Sequence, residues 1–158
     1  MSAQVLSPCL SYRDRRAAMD WLEAAFGFEV SLLVTDDKGE IGHAEMSYRD
    51  ASITIAGEWA MPELIGPAAL HSPANQGGRV TGFLRVFLED GIDAHCERAR
   101  AAGARITAEP TDQFYGDRVY RCLDLDGHIW TFSQPVANPT LAEMEAASGF
   151  KLSAGKEA

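Results

Sequence analysis

No stretch of this chain approaches the roughly 20 consecutive apolar residues that a membrane span requires, and Met1 to Leu10 lacks a basic start followed by an apolar core. Neither a membrane helix nor a secretory signal is expected, and the chain reads as cytoplasmic. Cysteine is scarce, and Cys9, Cys96 and Cys122 are an odd number without metal-site spacing. That fits reduced thiols rather than a disulfide scaffold. Bases are short as well, 14 Lys and Arg against 23 Asp and Glu, for a formal net charge of -9. Phosphate backbones are held by clustered cations, so nucleic acid is not an expected partner. The Gly-x-Ser-x-Gly turn of serine hydrolases is missing, and no glycine-rich phosphate loop follows a strand.

What is present is a repeat. Asp14 answers to Asp90, Gly27 to Gly103, Asp50 to Asp126 and Ile53 to Ile129, each pair at the same interval. Asp14 precedes a stretch in which Ala18, Leu22, Ala25 and Phe26 share a helical face, and Gly27 stands where a left-handed residue ends a helix. Asp90 likewise precedes Ile92, Cys96 and Ala99, with Gly103 as the stop. An apolar run comes before each helix, Val5 to Leu10 and Phe83 to Leu88, and three strand-like runs follow each. Those of the first half are Phe28 to Val34, Glu40 to Tyr48 and Ala51 to Ala56. Those of the second are Ala104 to Thr107, Gly116 to Leu123 and His128 to Phe132. Each half therefore reads β-α-β-β-β, the first within residues 5–57 and the second within 80–134.

Two segments fall outside the repeat. Residues 58–79 carry Pro62, Gly66, Pro67, Pro73, Gly77 and Gly78, a connection long enough to be a lid or binding element, or simply a linker. In residues 136–152, Asn138-Pro139 reads as an N-cap with proline at the first helical position, opening a helix with Leu141 and Met144 on a narrow apolar edge. The basic cluster Arg13, Arg15 and Arg16 reads as a solvated face or a partner contact.

The segment Asp112-Gln113-Phe114-Tyr115-Gly116-Asp117-Arg118, followed by Asp124-Leu125-Asp126-Gly127-His128-Ile129-Trp130-Thr131-Phe132, resembles the aromatic-Gly-Asp-Arg and Asp-Pro-x-Gly-His-x-Trp signature of PhnB-like proteins, with Leu125 in place of the common proline. These belong to the vicinal oxygen chelate superfamily of glyoxalase I, extradiol dioxygenases, fosfomycin resistance enzymes and bleomycin resistance proteins. The resemblance covers residues 5–135 as a single domain. It implies an α+β fold in which two pseudo-equivalent modules form one open, barrel-like mixed sheet with the helices outside, and it implies a homodimer.

The resemblance also implies metal ligands on the first and last strands of each module. At those positions stand Ser7, Thr54, Leu84 and Thr131, none of which supplies imidazole or carboxylate. No cofactor is expected, and a divalent metal is disfavoured. His43 and Glu45 sit two apart on one strand and so share a face, read either as a polar pair on a half-solvated strand or as metal or acid-base groups. Glu45 advanced by the repeat interval lands on Arg121, which puts opposite charges at equivalent positions, either inward on opposite walls of a cavity or outward in solvent. Trp59 and Tyr115, at loop positions, are the aromatic residues expected to cover a ligand. His128 is expected to hold its turn, and Asp117 to pair with Arg118. The expected partner is a small organic ligand, partly aromatic or cationic, bound and sequestered, with the acidic balance of the chain attracting a cation. A lyase, isomerase or dioxygenase is the alternative, and the catalytic residues of such an enzyme are unknown.

Overall fold

The computed structural model describes residues 6–153. The expected strand start at Val5 and the chain end after Ser153 lie outside the described residues. The first module consists of β1 (Cys9–Ser11), α1 (Arg15–Phe26), β2 (Glu29–Thr35), β3 (Ile41–Tyr48) and β4 (Ala51–Ala56). A connection containing the one-turn α2 (Pro62–Ile65) leads to β5 (Leu84–Phe87), α3 (Ile92–Ala101), β6 (Arg105–Asp112), β7 (Asp117–Leu123) and β8 (Ile129–Pro135). A last helix, α4 (Leu141–Ser148), follows.

The strands form two four-stranded sheets, ordered β1-β4-β3-β2 and β5-β8-β7-β6. In each, the first and last strands of the module run parallel and the other pairings are antiparallel. The α+β class and the module order match the sequence reading. The sheets stay separate and unclosed, where a single barrel-like sheet is implied by the resemblance.

Each sheet has a helix side and an open side. Ala44, Met46, Ile53 and Ile55 from the first sheet and Tyr120, Cys122, Trp130 and Phe132 from the second are buried with the apolar stripes of α1 and α3 in one core. Phe26, at the end of α1, lies 5.1 Å from Trp130 and 4.8 Å from Phe132 between ring centroids. The two helix sides are thereby welded together. At about 1.5 to 3 kcal/mol for each large apolar side chain fully buried, this shared core dominates the stability of both modules.

Helix α1 begins and ends as its sequence dictates. The Asp14 side chain accepts from the Ala17 N–H at 3.0 Å, and Gly27 takes φ 77°. Helix α3 differs. Gly91, not Asp90, is its N-cap, and the first amide, Ile92 N–H, donates instead to Gln134 Oε1 of β8 at 2.9 Å. Helix α4 starts two residues after Pro139: its N-cap is Thr140, which forms a reciprocal capping box with Glu143, so Asn138 is not the cap.

The repeat also contains an insertion. Thr54 pairs with Cys9 and Glu45, while Thr131 pairs with Arg85 and Arg121. Glu45 and Arg121 are true counterparts, but beyond the following turn the spacing grows by one residue, so Ile53 corresponds to Trp130 rather than to Ile129. The extra residue sits in the loop between β7 and β8, where Tyr48 and Ala51 of the first module close a tighter turn. No helix among the described residues is long and apolar enough to cross a membrane.

Candidate functional site

Because side chains on paired residues of neighbouring strands leave the sheet on the same face, the register defines what each open side presents. The first sheet shows Cys9, Thr54, His43, Glu45, Glu29, Leu32 and Val34. The second shows Arg85, Thr131, Arg121 and, further along, Arg105. One open face is thus acidic and the other basic.

On the first face, His43 Nε2 and Glu45 Oε1 lie 2.8 Å apart with both side chains partly exposed. On the second, Arg85 is held from several sides. Its Nε donates to Ser133 Oγ at 2.8 Å and its Nη2 to Asp117 Oδ2 at 2.6 Å, while the guanidinium lies 4.7 Å from the Phe87 ring centroid and 5.7 Å from that of Tyr115. The expected Asp117–Arg118 pair does not form. Asp117 holds Arg85, and Arg118, on the helix side, pairs with Asp93 of α3 and with Asp112.

A second polar centre joins the modules away from these faces. Asp124 is buried and accepts from Tyr12 Oη at 2.7 Å, Trp130 Nε1 at 3.0 Å, and the backbone N–H groups of Asp126 and His128. Burial, together with the Asp124 carboxylate, raises the Tyr12 phenol well above its ordinary pKa. Asp126 accepts from the Arg13 backbone N–H, its Nε and its Nη2, and from Ser72 Oγ of the connecting loop. Burial pushes the Asp126 carboxyl up, but the Arg13 and Ser72 hydrogen bonds outweigh it and hold the pKa below the usual value. Glu58 anchors the same loop by accepting from Ser72 N–H and Asn75 Nδ2. The loop is therefore fastened at Ser72, and Arg13, read in the sequence as part of a solvated face or a partner contact, belongs to the clasp while its side chain stays 52% exposed. The Asp124 carboxylate holds the turn before β8 through the Asp126 and His128 N–H groups, while the His128 ring reaches across to Ser11 O of β1 through Nε2 at 2.8 Å. His95 bridges Tyr120 Oη and Phe26 O, and burial lowers its pKa.

Two cavities border the seam between modules. One, of about 640 Å³, lies among Cys9, His71, Arg79, Phe83, Arg85 and His128. The other, of about 420 Å³, lies among Phe28, Tyr48, Ser52, Arg85 and Phe87. Arg85 borders both. Of the residues singled out in the sequence, His43 and Glu45 are brought together, and Tyr115 meets Arg85. Trp59 stays apart in the connecting loop, 37% exposed and paired through its backbone with Leu70. Neither cavity is lined by Glu45 or Arg121, which lie on the two separate open faces. Arg85 was missed. Its signal was available, since it is the repeat counterpart of Cys9.

At the positions where the resemblance implies metal ligands, Thr54 and Thr131 supply only hydroxyls, and of their register neighbours only the Cys9 thiol could ligate a divalent ion. Thr54 and Thr131 are flanked in register by Cys9 and Arg85, and a guanidinium cannot coordinate a cation. Among the described residues no group of three or more His, Cys, Asp or Glu side chains is placed to hold a metal.

Doubled β-α-β-β-β modules, joined through their helix sides and presenting two polar open sheet faces, define a paired-module α+β protein. The chain belongs to the Glyoxalase/Bleomycin resistance protein/Dioxygenase superfamily, whose family model matches residues 4–132. It is similar to the uncharacterized protein Mb0911c of Mycobacterium bovis, with 31% identity over 143 residues that cover 90% of each chain. Among solved structures it is similar to TioX from Micromonospora sp. ML1, with a TM-score of 0.67 and 28% identity over 84% of this chain and 99% of TioX. It also shares its fold with TnmS3, an antibiotic binding protein from Streptomyces sp. CB03234, at a TM-score of 0.61 and 19% identity over 85% and 98% of the two chains.

Proposed function

We propose that this protein is a cytoplasmic, metal-free homodimer of the PhnB-like branch that binds and sequesters a small organic compound on its open sheet faces. The observation that carries the reading is the donor set at the superfamily's ligand positions, where Thr54 and Thr131 stand beside Cys9 and Arg85. Hydroxyl and guanidinium groups suit hydrogen bonding to an organic ligand, and the single Cys9 thiol among them falls short of the three or four ligands that hold a borderline-soft cation. Flanking aromatics and a few oriented polar groups are the usual make-up of a small-molecule site. The described binding of an antibiotic by TnmS3, a protein of the same fold, agrees with this role.

The homodimer draws support from the charges. The face bearing Glu29, Glu45 and His43 complements the face bearing Arg85, Arg105 and Arg121. The first sheet of one copy set over the second sheet of another encloses a cavity with Glu45 and Arg121 on opposite walls, and Tyr115 at its edge. Trp59 quenching would report a ligand that reaches the connecting loop.

A second reading is favoured by the 2.8 Å contact between His43 and Glu45. A carboxylate-oriented imidazole is a general acid-base pair, and the protein would then be a lyase, isomerase or dioxygenase. The two readings separate by elemental analysis of protein purified without added metal, followed by a hemithioacetal assay with added nickel or zinc. The binding reading expects no stoichiometric metal and no lactoylglutathione formation. Turnover that Glu45→Ala abolishes would replace it with the enzymatic one.

A further inference from the structure

Arg85, Thr131 and Arg121 lie side by side across β5, β8 and β7, and their side chains leave one face at neighbouring positions. The central residue is unfinished. Thr131 is only 3% exposed, and its Oγ1 has no hydrogen-bond partner. Buried hydroxyls are nearly always satisfied; of the two left without a partner among the described residues, Ser11 Oγ and Thr131 Oγ1, Thr131 is the one that the register sets between Arg85 and Arg121, so a ligand atom that reaches this point would complete it.

The groups on either side are cationic and differently prepared. Arg85 is fixed by Ser133 and Asp117 through Nε and Nη2, which leaves Nη1 to donate elsewhere. The Arg121 side chain makes no hydrogen bond or ion pair among the described residues. Arg105 lies on the same face, and its side chain is also unpaired among the described residues. Against three guanidiniums the face offers the carboxylate of Asp117, which Arg85 already engages. Phe87 and Tyr115 stand beside Arg85 as flat apolar surfaces.

We propose that this face binds the anionic group of a planar organic ligand, an oxyanion such as a carboxylate. Arg121 and Arg85 grip it, the Thr131 hydroxyl donates to it, and the flat body of the ligand rests on Phe87 and Tyr115. The inference rests on the small-molecule reading above and names the chemical class of the ligand. The overall charge of -9 does not oppose it at close range, because at physiological salt a surface charge is screened beyond about 8 Å, and the nearest charges here are guanidiniums.

The test is calorimetric titration of the full chain with three matched probes, 2-naphthoate, 2-naphthylmethanol and 2-naphthylmethylammonium. The naphthoate is expected to bind at least about tenfold more tightly than the other two, the scale of one charge-assisted hydrogen bond. Arg121→Gln should weaken naphthoate about tenfold or more and leave the alcohol unchanged. Thr131→Val, which keeps shape and removes the hydroxyl, should weaken naphthoate by a smaller factor without lowering the melting temperature. Equal or tighter binding of the ammonium probe, or naphthoate affinity indifferent to Arg121→Gln, overturns the inference while leaving a small-molecule binder in place. If none of the three binds, the inference falls, and a screen with antibiotics and metabolites decides the broader reading separately.

Discussion

At the scale of single residues, the decisive feature is how few charged groups are buried and how fully those few are satisfied. The Asp126 side chain, 4% exposed, collects hydrogen bonds from Arg13 and Ser72, and its pKa is held below the ordinary value. A carboxylate with a depressed folded pKa contributes stability that is complete above the unfolded value, about 3.9 for aspartate, and lost as pH falls through the folded one. Denaturant unfolding of wild type and Asp126→Asn across the acid range should show this. The variant is expected to be less stable by about 1 to 3 kcal/mol near neutrality, with the gap narrowing below pH 4. A gap independent of pH would mean that the Asp126 charge is not what the clasp uses. The buried thiols behave in the opposite sense. Burial pushes Cys96 up to about 11 and Cys122 up to about 12, so both should resist alkylation in the folded protein at neutral pH. Modification of either at the rate of a free thiol would contradict their placement in the core.

At the scale of elements, local signals were legible wherever the backbone needs a particular residue. Asp14 and Gly27 bound α1 in the sequence as in the structure, because a side-chain acceptor and a left-handed residue are local requirements. Asp90 misled because a long-range partner, Gln134 from β8, takes over the duty of the cap. Asn138 misled because the Thr140–Glu143 box competes for the same helix start. The β7–β8 insertion was invisible to interval counting, since both halves keep an Asp before the last strand. Gly116 offers the sharpest test at this level. It takes φ 98°, and a Cβ there would stand 2.5 Å from Ala137 O. Its own carbonyl also accepts from Val136 and Ala137 N–H. Gly116→Ala should therefore cost more than about 2 kcal/mol, combining backbone strain with a clash against main chain. A melting temperature equal to that of wild type would show that the segment after β8 is free to move aside.

At the scale of the whole molecule, the doubled module was readable from the sequence, whereas the division into two sheets was not. Spacing tells which strands exist, but whether β1 and β5 pair is decided by how α1 and α3 pack, with Phe26 driven among Trp130 and Phe132. The same packing turns both open faces outward from the shared core, and there the candidate site became legible only through strand register. Glu45 and Arg121 emerged from the repeat; Arg85 and the orphan hydroxyl of Thr131 did not. Strand β2 leaves Val30, Leu32, Leu33 and Val34 each 39% to 48% exposed, an edge that monomeric proteins seldom leave bare. Sedimentation should find a dimer at micromolar concentration, converted to monomer by Leu32→Glu with Val34→Glu. A wild-type monomer under those conditions would remove the partner that our reading needs to enclose the site.

The most direct test of metal-free sequestration is titration of chelator-treated protein with a panel of aromatic antibiotics and metabolites, followed by tryptophan emission, with mass analysis of the recovered compound. At least one compound is expected to bind saturably, to be indifferent to added zinc or nickel, and to be recovered chemically unchanged. Binding or conversion that occurs only after metal is restored, and that Glu45→Ala abolishes, would contradict it.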